Sequence, residues 1–452
     1  MEKPSWQYFS LVQLGGAGGF LRAALCRTAR IGTRLRWQAS LNQCGQASNS
    51  PSSPRSFARF GGGFKRAESA GPCQLAHPRR AMTHFPKSVT TLNLTTILRN
   101  CCILLMLYNV LIMKPIKSLT IDDLKVEVTK ANLPAFRTNQ LLNWLYVKGV
   151  ASYDEMTNLP KALREQFALE YPLFVPKMLE RQISKDGSRK YLLELYDGAL
   201  VETVALPSSD GRLTVCASSQ SGCAMNCAFC ATGKQGLTRS LYPGEIVDQI
   251  LVVQQDLEER VTNVVVMGQG EPFANYDATL AALRILNHPK LLNIGARHIT
   301  VSTCGVLSGI QRLANEPEQF TLAVSLHAAT QAIRDILMPS MKNQPLTRLK
   351  SVLNSYTQAT GRRFSFEYAL MKGMNDSNED LTSLIDYAKG MLCHINLIPL
   401  NDIDDSPIKP VGRQVMERWL SALESANIPA TIRLSRGSDI SAACGQLAYK
   451  KQ

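Results

Sequence analysis

Hydrophobic and polar positions beyond residue 112 repeat with two different periods, and the change of period divides the chain. In FRTNQLLNWLYV, residues 136–147, the apolar side chains fall at 136, 141, 142, 145 and 146, close to one face of a helix. A helix is also predicted to open at Leu119-Thr120-Ile121-Asp122-Asp123 with Thr120 as N-cap, and a third over 159–169, started near Pro160. Lys190–Leu195 and Leu200–Leu206 then read as two strands of a hairpin turning at Asp197-Gly198. Beyond them the β-like runs are Thr262–Met267, His298–Ser302, Phe320–Ser325, Arg363–Tyr368, His394–Leu397 and Ala430–Leu434. Helical stretches separate them at Pro243–Gln254, Tyr276–Leu286, Thr347–Thr357, Asn378–Lys389 and Val411–Ala426. This alternation predicts an α/β fold with a parallel sheet. Six units are fewer than the eight of a closed barrel. In such folds the chemistry gathers on loops at the carboxyl ends of strands, where Gly268–Pro272, Ser302-Thr303, Ser325-Leu326-His327 and Asn401 all fall.

Charge changes the picture at one end only. The net charge of +14 comes almost entirely from residues 1–112, which hold 14 Lys/Arg against two acids, Glu2 and Glu68, or +12. The remainder is nearly balanced, with 36 basic and 34 acidic residues. The first segment is rich in Ser, Gly, Arg and Pro and has no sustained period, so it reads as a disordered extension. Its basic, acid-poor composition also resembles an organellar transit peptide. A start codon placed too far upstream is the explanation that fits best, because Met82, Met106 and Met113 are possible starts and ordinary patterning begins at MKPIKSLTIDDL. The apolar run Cys101–Leu107 is far shorter than the ~20 residues of a membrane span, so no membrane association is expected. Nucleic-acid binding has to be sought in local basic patches rather than in total charge. Arg137, Lys148, Lys161 and Arg164 make one such patch, which reads either as a solvated helix face or as an RNA-grasping surface.

The 12 cysteines are sparse, which is the usage of a reducing, cytoplasmic protein rather than a disulfide scaffold. Three of them, Cys223, Cys227 and Cys230, stand in SQSGCAMNCAFCATG with the spacing CxxxCxxC. A structural zinc would want a fourth thiolate or a histidine in a paired pattern, and no second CxxC occurs. Three thiolates on one loop suit a [4Fe–4S] cube with one iron left free for a small ligand. Buried apolar thiols are the plainer reading, but Gly222, Asn226 and Gly233 make the segment a loop. VVMGQGEP, residues 265–272, ends a strand in a glycine turn where Gly268 and Gly270 would let backbone approach a ligand.

Together these segments resemble a known family. CxxxCxxC with Phe229 before its last cysteine, and the GEP turn one β/α unit later, are similar to the radical-SAM superfamily. VETV, VCASSQSGCAMNCAFCATGKQG, MGQGEP, ITVSTCG, SLHAA, INLIPLN and AACGQLA resemble RlmN-type adenine-C2 RNA methyltransferases, over residues of about 115 to 449. The resemblance implies a partial (β/α)6 radical-SAM barrel at 213–449, a helical RNA-binding accessory domain at 113–180 and a β-hairpin linker at 181–212. It implies one [4Fe–4S] cluster on Cys223, Cys227 and Cys230, and S-adenosyl-L-methionine contacted by Gly270, Glu271, Ser302, Ser325, Leu326, His327 and Asn401, two molecules being consumed per methylation. On its own, His327 would read as a satisfied core histidine.

The resemblance also implies roles for Cys444, Cys216 and Glu202. Cys444 would be methylated first and lose hydrogen to a 5′-deoxyadenosyl radical. It would then add through carbon to C2 of adenine. Cys216 would resolve the adduct by forming a disulfide with Cys444, and Glu202 would take the C2 proton. From the sequence alone Cys444 reads equally as a small buried residue, while Cys304 and Cys393 match no role and read as core. The expected partners are 23S rRNA, tRNA as a second substrate, and an electron donor such as flavodoxin or ferredoxin, with the chain a monomer. Lys234 and Arg239 are candidate phosphate contacts. Two departures stand out: GQGEP where GMGEP is usual, and the acidic loop NDIDDSPIKP after Leu400. Two other readings stay open, an adenine-C8 methyltransferase of the resistance type and an RNA-binding protein with a redox-sensing cluster.

Overall fold

The structure, a computed structural model, describes residues 114–403 and 406–449. The extension 1–112 and its three possible origins lie outside these residues.

Three helices come first, α1 (Ile121–Lys130), α2 (Phe136–Tyr146) and α3 (Lys161–Glu170). Thr120 caps α1 as the sequence predicts. Its Oγ1 accepts from the Asp123 N–H at 3.1 Å, and the Asp123 carboxylate accepts from the Thr120 N–H at 2.9 Å. This reciprocal pair satisfies donors that a bare helix end leaves free. α2 buries Leu141, Leu142, Leu145 and Tyr146, the stripe its period marks. That stripe belongs to the same hydrophobic core as the sheet. Lys117, in the turn before α1, makes a buried ion pair with Asp248 of α5 (Pro243–Leu257), both side chains being 4% exposed.

The hairpin is part of something larger. β1 (Lys177–Ile183), β2 (Arg189–Glu194), β3 (Leu200–Pro207) and β4 (Leu213–Cys216) form an antiparallel run. The proposed boundary between residues 180 and 181 falls inside β1. That strand is exposed along nearly its whole length, so it shows no apolar alternation from which to read it. Two short strands, β5 (Gln220–Gly222) and β6 (Leu237–Ser240), pair with each other around the helix α4 (Ala231–Gln235).

The six expected strands are all present as β7 (Asn263–Val266), β8 (Ile299–Thr303), β9 (Thr321–Ser325), β10 (Phe364–Leu370), β11 (Cys393–Pro399) and β12 (Ala430–Ile432). They pair in parallel with one another, and β4 joins them as a seventh parallel member beside β7. The ten-stranded sheet runs β1-β2-β3-β4-β7-β8-β9-β10-β11-β12 and is not closed, as a partial barrel requires. Crossovers are α5, α6 (Tyr276–Asn287), α7 (Leu307–Ala314), α8 (Gln331–Leu337), α9 (Leu346–Thr360), α10 (Asn378–Ala388) and α11 (Arg413–Ser425). α7 and α8 are too short for their period to show in the sequence. Along β7 and β8 the fully buried Val264, Val266, Ile299 and Val301 form part of the apolar core, while the intervening Thr300 and Ser302 are only half-buried. No helix of the described residues is long and apolar enough to cross a membrane.

Candidate active site

A cavity of about 290 Å³ opens at the carboxyl ends of the parallel strands. Its wall brings together Cys223, Cys227 and Cys230 with Cys216 and Cys444, and adds Gly270, Ser302, Ser325, His327 and Asn401. Glu202, Glu271 and Leu326 do not line it. Residues separated by more than 200 positions thus meet because the last segment of the chain folds back over β3 and β4. Ala442 and Leu447 pack there on Val204, Leu206 and Cys216.

The cysteine loop links β5 to α4 and is pinned by backbone bonds. The Cys223 N–H donates to Gly236 O at 2.9 Å, Ala228 N–H to Leu337 O at 2.9 Å, and Ala231 N–H to Gly445 O at 2.7 Å. The last bond ties the loop directly to the residue after Cys444. Burial pushes the Cys223 thiol up to about 12 and raises Cys230 as well. Cys227 moves the other way, because its sulfur is hydrogen-bonded to the Cys304 thiol, which is raised in turn. Among the described residues no three His, Cys, Asp or Glu side chains converge as ligands of one metal ion. A cube does not need that, since each thiolate takes its own iron. Three free, soft thiols on one pinned loop facing one cavity fit it.

The glycine turn is shaped by protein rather than by ligand alone. A Cβ on Gly270, at φ +100°, would lie 2.6 Å from Gln220 Cβ, and one on Gly268 would lie 2.6 Å from Ser218 Oγ. Close approach of the 217–220 segment therefore demands both glycines. Glu271 is buried behind that turn. Its carboxylate accepts from the Phe273 N–H at 2.9 Å and the Cys304 N–H at 2.7 Å. Burial raises its pKa against those bonds.

The polar candidates separate into several kinds. His327, at φ 52°, lines the cavity and accepts from the Ala369 N–H on Nδ1 at 3.0 Å. Burial, with Arg334 nearby, lowers its pKa to about 3, so the ring is neutral. It meets Phe229 edge-on at 4.5 Å between centroids. Asn401 donates to the Cys444 carbonyl at 3.2 Å and so positions the cysteine segment as well as facing the cavity. Leu326 is fully buried.

Cys216 ends β4, and burial followed by the Cys444 thiol pushes it up to about 12. Cys444 is solvent-exposed; desolvation by the surrounding cavity wall raises its thiol, opposed by the Arg433 guanidinium. Glu202 lies on the same face of β3 as Val204 and Leu206, which do line the cavity. It is one strand repeat further along, about 7 Å at roughly 3.4 Å per residue. Its Oε1 is 3.3 Å from Lys190 Nζ, and its buried Oε2 has no partner among the described residues. Gln269, the departure in the glycine turn, accepts from the Glu202 N–H at 3.1 Å, and Ser218 Oγ donates to the Glu202 carbonyl at 2.6 Å. These side chains hold Glu202 just where the β3–β4 ladder ends.

Some expectations change. Arg239 is not available to phosphate: it is committed to Asp197 and Glu245 at 2.6 to 3.0 Å. Lys234 is exposed. Arg137 and Arg164 are partly spent on the carbonyls of Asn158 and Asp154. Cys393 is core, but Cys304 lines the cavity beside Cys227. Its place at the end of β8, two residues after Ser302, is the signal that could have found it. Glu367, Arg433 and Arg334 were also missed. Glu367 and Arg433 line the cavity, and Arg334 lies behind it on the unread α8.

Comparison with known proteins defines the class first. Residues 218–385 match the model of the Radical SAM superfamily, and residues 116–171 that of the ribosomal RNA large subunit methyltransferase N-terminal domain. A radical SAM methyltransferase structure from Sphaerobacter thermophilus is 42% identical with a TM-score of 0.70, covering 74% of this chain and 98% of that one. The probable dual-specificity RNA methyltransferase RlmN of Geobacillus kaustophilus is 46% identical over 340 residues, 75% of this chain and 93% of the relative. That of Pelotomaculum thermopropionicum is 45% identical over 337 residues, 74% and 91% of the two chains. The chain belongs to the RlmN family of radical-SAM RNA methyltransferases. Membership implies S-adenosylmethionine and a [4Fe–4S] cluster as cofactors.

Proposed function

We propose that this chain methylates C2 of an adenosine in 23S rRNA and also in tRNA, carrying the methyl group on Cys444. The observation that supports it best is the shared cavity, in which Cys216 and Cys444 face the same space as Cys223, Cys227 and Cys230. These three would hold the cluster, with S-adenosylmethionine beside it against Gly270, Ser302, Ser325 and His327, and Glu271 and Leu326 supporting that wall from behind. The cofactors supply the one-electron chemistry that an unreactive aromatic carbon requires, with two molecules of S-adenosylmethionine used per methyl group and an external donor such as flavodoxin or ferredoxin.

The protein's own part is nucleophilic and acid–base. The Cys444 thiolate takes a methyl group, forming S–C as the sulfonium loses it to become a thioether. Once the methyl carbon, short of one hydrogen atom, has joined C2, Glu202 would accept the C2 proton while the adduct's unpaired electron would pass back to the bound cofactors. The Cys216 thiolate then attacks Cys444 Sγ. An S–S bond forms, the bond from sulfur to the transferred carbon breaks, and that carbon's electron pair takes a proton to complete the methyl group.

The test uses two variants. Cys216→Ala should accumulate a covalent protein–RNA species, with a nucleotide remnant on the Cys444 peptide after nuclease digestion. Cys444→Ala should give neither adduct nor methylated RNA. Normal turnover of Cys216→Ala without an adduct would defeat the resolving role, and 8-methyladenosine as product would move the chain to the C8 alternative.

A further inference from the structure

Arg334 of α8 has no solvent exposure. Its guanidinium donates from Nη1 to the carbonyls of Ser325, at 3.1 Å, and Leu326, and from Nη2 to the carbonyl of Cys304 at 2.6 Å. Nε has no partner. All of these acceptors are neutral, and no carboxylate among the described residues lies within ion-pair distance of it. The acid next to it, Asp335, accepts instead from Gln331 Nε2 at 2.7 Å. Glu271 is separated from it by the Cys304 peptide, holding the N–H of that residue while Arg334 holds its carbonyl. A buried charge is normally paired, and arginine cannot shed its proton to escape the cost.

Its place in the fold suggests the missing partner. α8 lies directly behind the cysteine loop, with the Leu337 carbonyl accepting from the Ala228 N–H at 2.9 Å. Met338, whose Sδ is 3.4 Å from Arg334 Nη1, packs in one small apolar cluster with Cys227. Cys304, the third carbonyl acceptor, lines the cavity beside the same cysteine. The guanidinium is therefore one residue removed from a thiol assigned to iron.

We propose that Arg334 is the counter-charge of the loaded iron–sulfur site, a fixed buried cation that offsets the anionic cluster and raises its reduction potential. The inference rests on the assignment of Cys223, Cys227 and Cys230 as ligands. Three thiolates give an oxidised [4Fe–4S]²⁺ cube a net charge of −1, and reduction makes it −2. A neighbouring positive charge favours the more negative state, because net charge and surrounding dipoles set cluster potentials. Arg334 touches neither substrate nor cofactor in this account and is a positioning residue for charge.

Potentiometric titration of the reconstituted full chain, followed by electron paramagnetic resonance, tests it. Arg334→Gln keeps two donors for the carbonyls but removes the charge, and its midpoint should move to a more negative potential. Arg334→Lys keeps the charge, and its midpoint should stay at the wild-type value. A fully loaded Arg334→Gln protein with an unchanged midpoint would overturn the proposal and leave Glu271 as the sufficient partner. Should Arg334→Gln not accumulate as folded protein, Arg334→Lys decides, since a fall in its midpoint would show that hydrogen bonding rather than charge matters. Iron and sulfide content of the triple Cys223→Ala, Cys227→Ala, Cys230→Ala variant separates the two ideas. Cluster retained there defeats the ligand assignment, whereas an unmoved Arg334→Gln midpoint defeats only the role of Arg334.

Discussion

Glu202 combines three properties that a general base needs: near-complete burial, a carboxylate oxygen without a partner among the described residues, and a lysine cation at 3.3 Å. Burial raises its pKa, and Lys190 works in the opposite direction by favouring the anion. A base acts when deprotonated, so activity should rise with pH through that raised pKa. Lys190→Met removes the stabilising charge and should move the acid limb of the single-turnover pH–rate profile to higher pH. A limb that stays or moves down would count against Glu202 as the base. Glu202→Gln should lower the rate of that step by about 10²–10⁴-fold. Gly270→Ala is a second residue-scale prediction. The positive φ and the 2.6 Å approach of Gln220 leave no room for a methyl group, so the variant should lose about 1–3 kcal/mol in denaturant unfolding of the apo chain. Unchanged stability would mean that the turn adapts. These features were unevenly legible. The CxxxCxxC cysteines and the glycine turn carry spacing that a sequence displays, whereas His327, Cys216 and Cys444 were reached only through the family resemblance. The commitment of Arg239 to two acids, the Asn401 bond to Cys444 and the buried Arg334 depend on segments brought together only by the fold.

At the scale of elements, the join between the helical region and α5 contains one buried ion pair. Lys117 and Asp248 are each 4% exposed, and Lys117 backbone and Cβ press so closely on Gly244 that a Cβ there would lie 2.3 Å away. Burial raises the Asp248 pKa even though Lys117 opposes it, so desolvation outweighs the attraction. Lys117→Met should leave Asp248 as a lone buried acid and cost about 3–5 kcal/mol, whereas adding Asp248→Leu should recover most of that loss. Urea unfolding of the two variants would check it, and equal losses in both would show that packing rather than charge matters. Elements with a strong period were read correctly: the six parallel strands, α5, α6, α9, α10 and α11. β1 escaped because its residues are exposed on both faces, and α8 because seven residues make only about two turns. Both misses had consequences. β1 adds an edge strand to the hairpin, which β4 joins to the main sheet, and α8 carries Arg334.

The whole molecule is lopsided in charge. Residues 1–112 carry +12 and the rest +2, while the relative from Geobacillus kaustophilus is matched over 93% of its own length by only 75% of this chain. The cavity, the glycine turn, Cys216 and Cys444 all lie beyond residue 200. A chain cut to Met113–Gln452 should therefore keep its cluster and its single-turnover methylation rate. Its RNA binding should nevertheless change in one measurable way. Each basic side chain that neutralises a phosphate releases counterions, so log K falls with log salt in proportion to the number of such contacts. Losing a segment with 14 basic residues and two acids should weaken binding to unrelated RNA at low salt and flatten that slope. Selection of the target adenosine should persist, because base selection is made by pocket contacts rather than by phosphates. Salt titrations of both chains with substrate and unrelated RNA, alongside methylation rates, would decide the matter. An unchanged slope would mean that the basic segment makes no contact with RNA. A lost rate with the cluster intact would make residues 1–112 part of the catalytic protein.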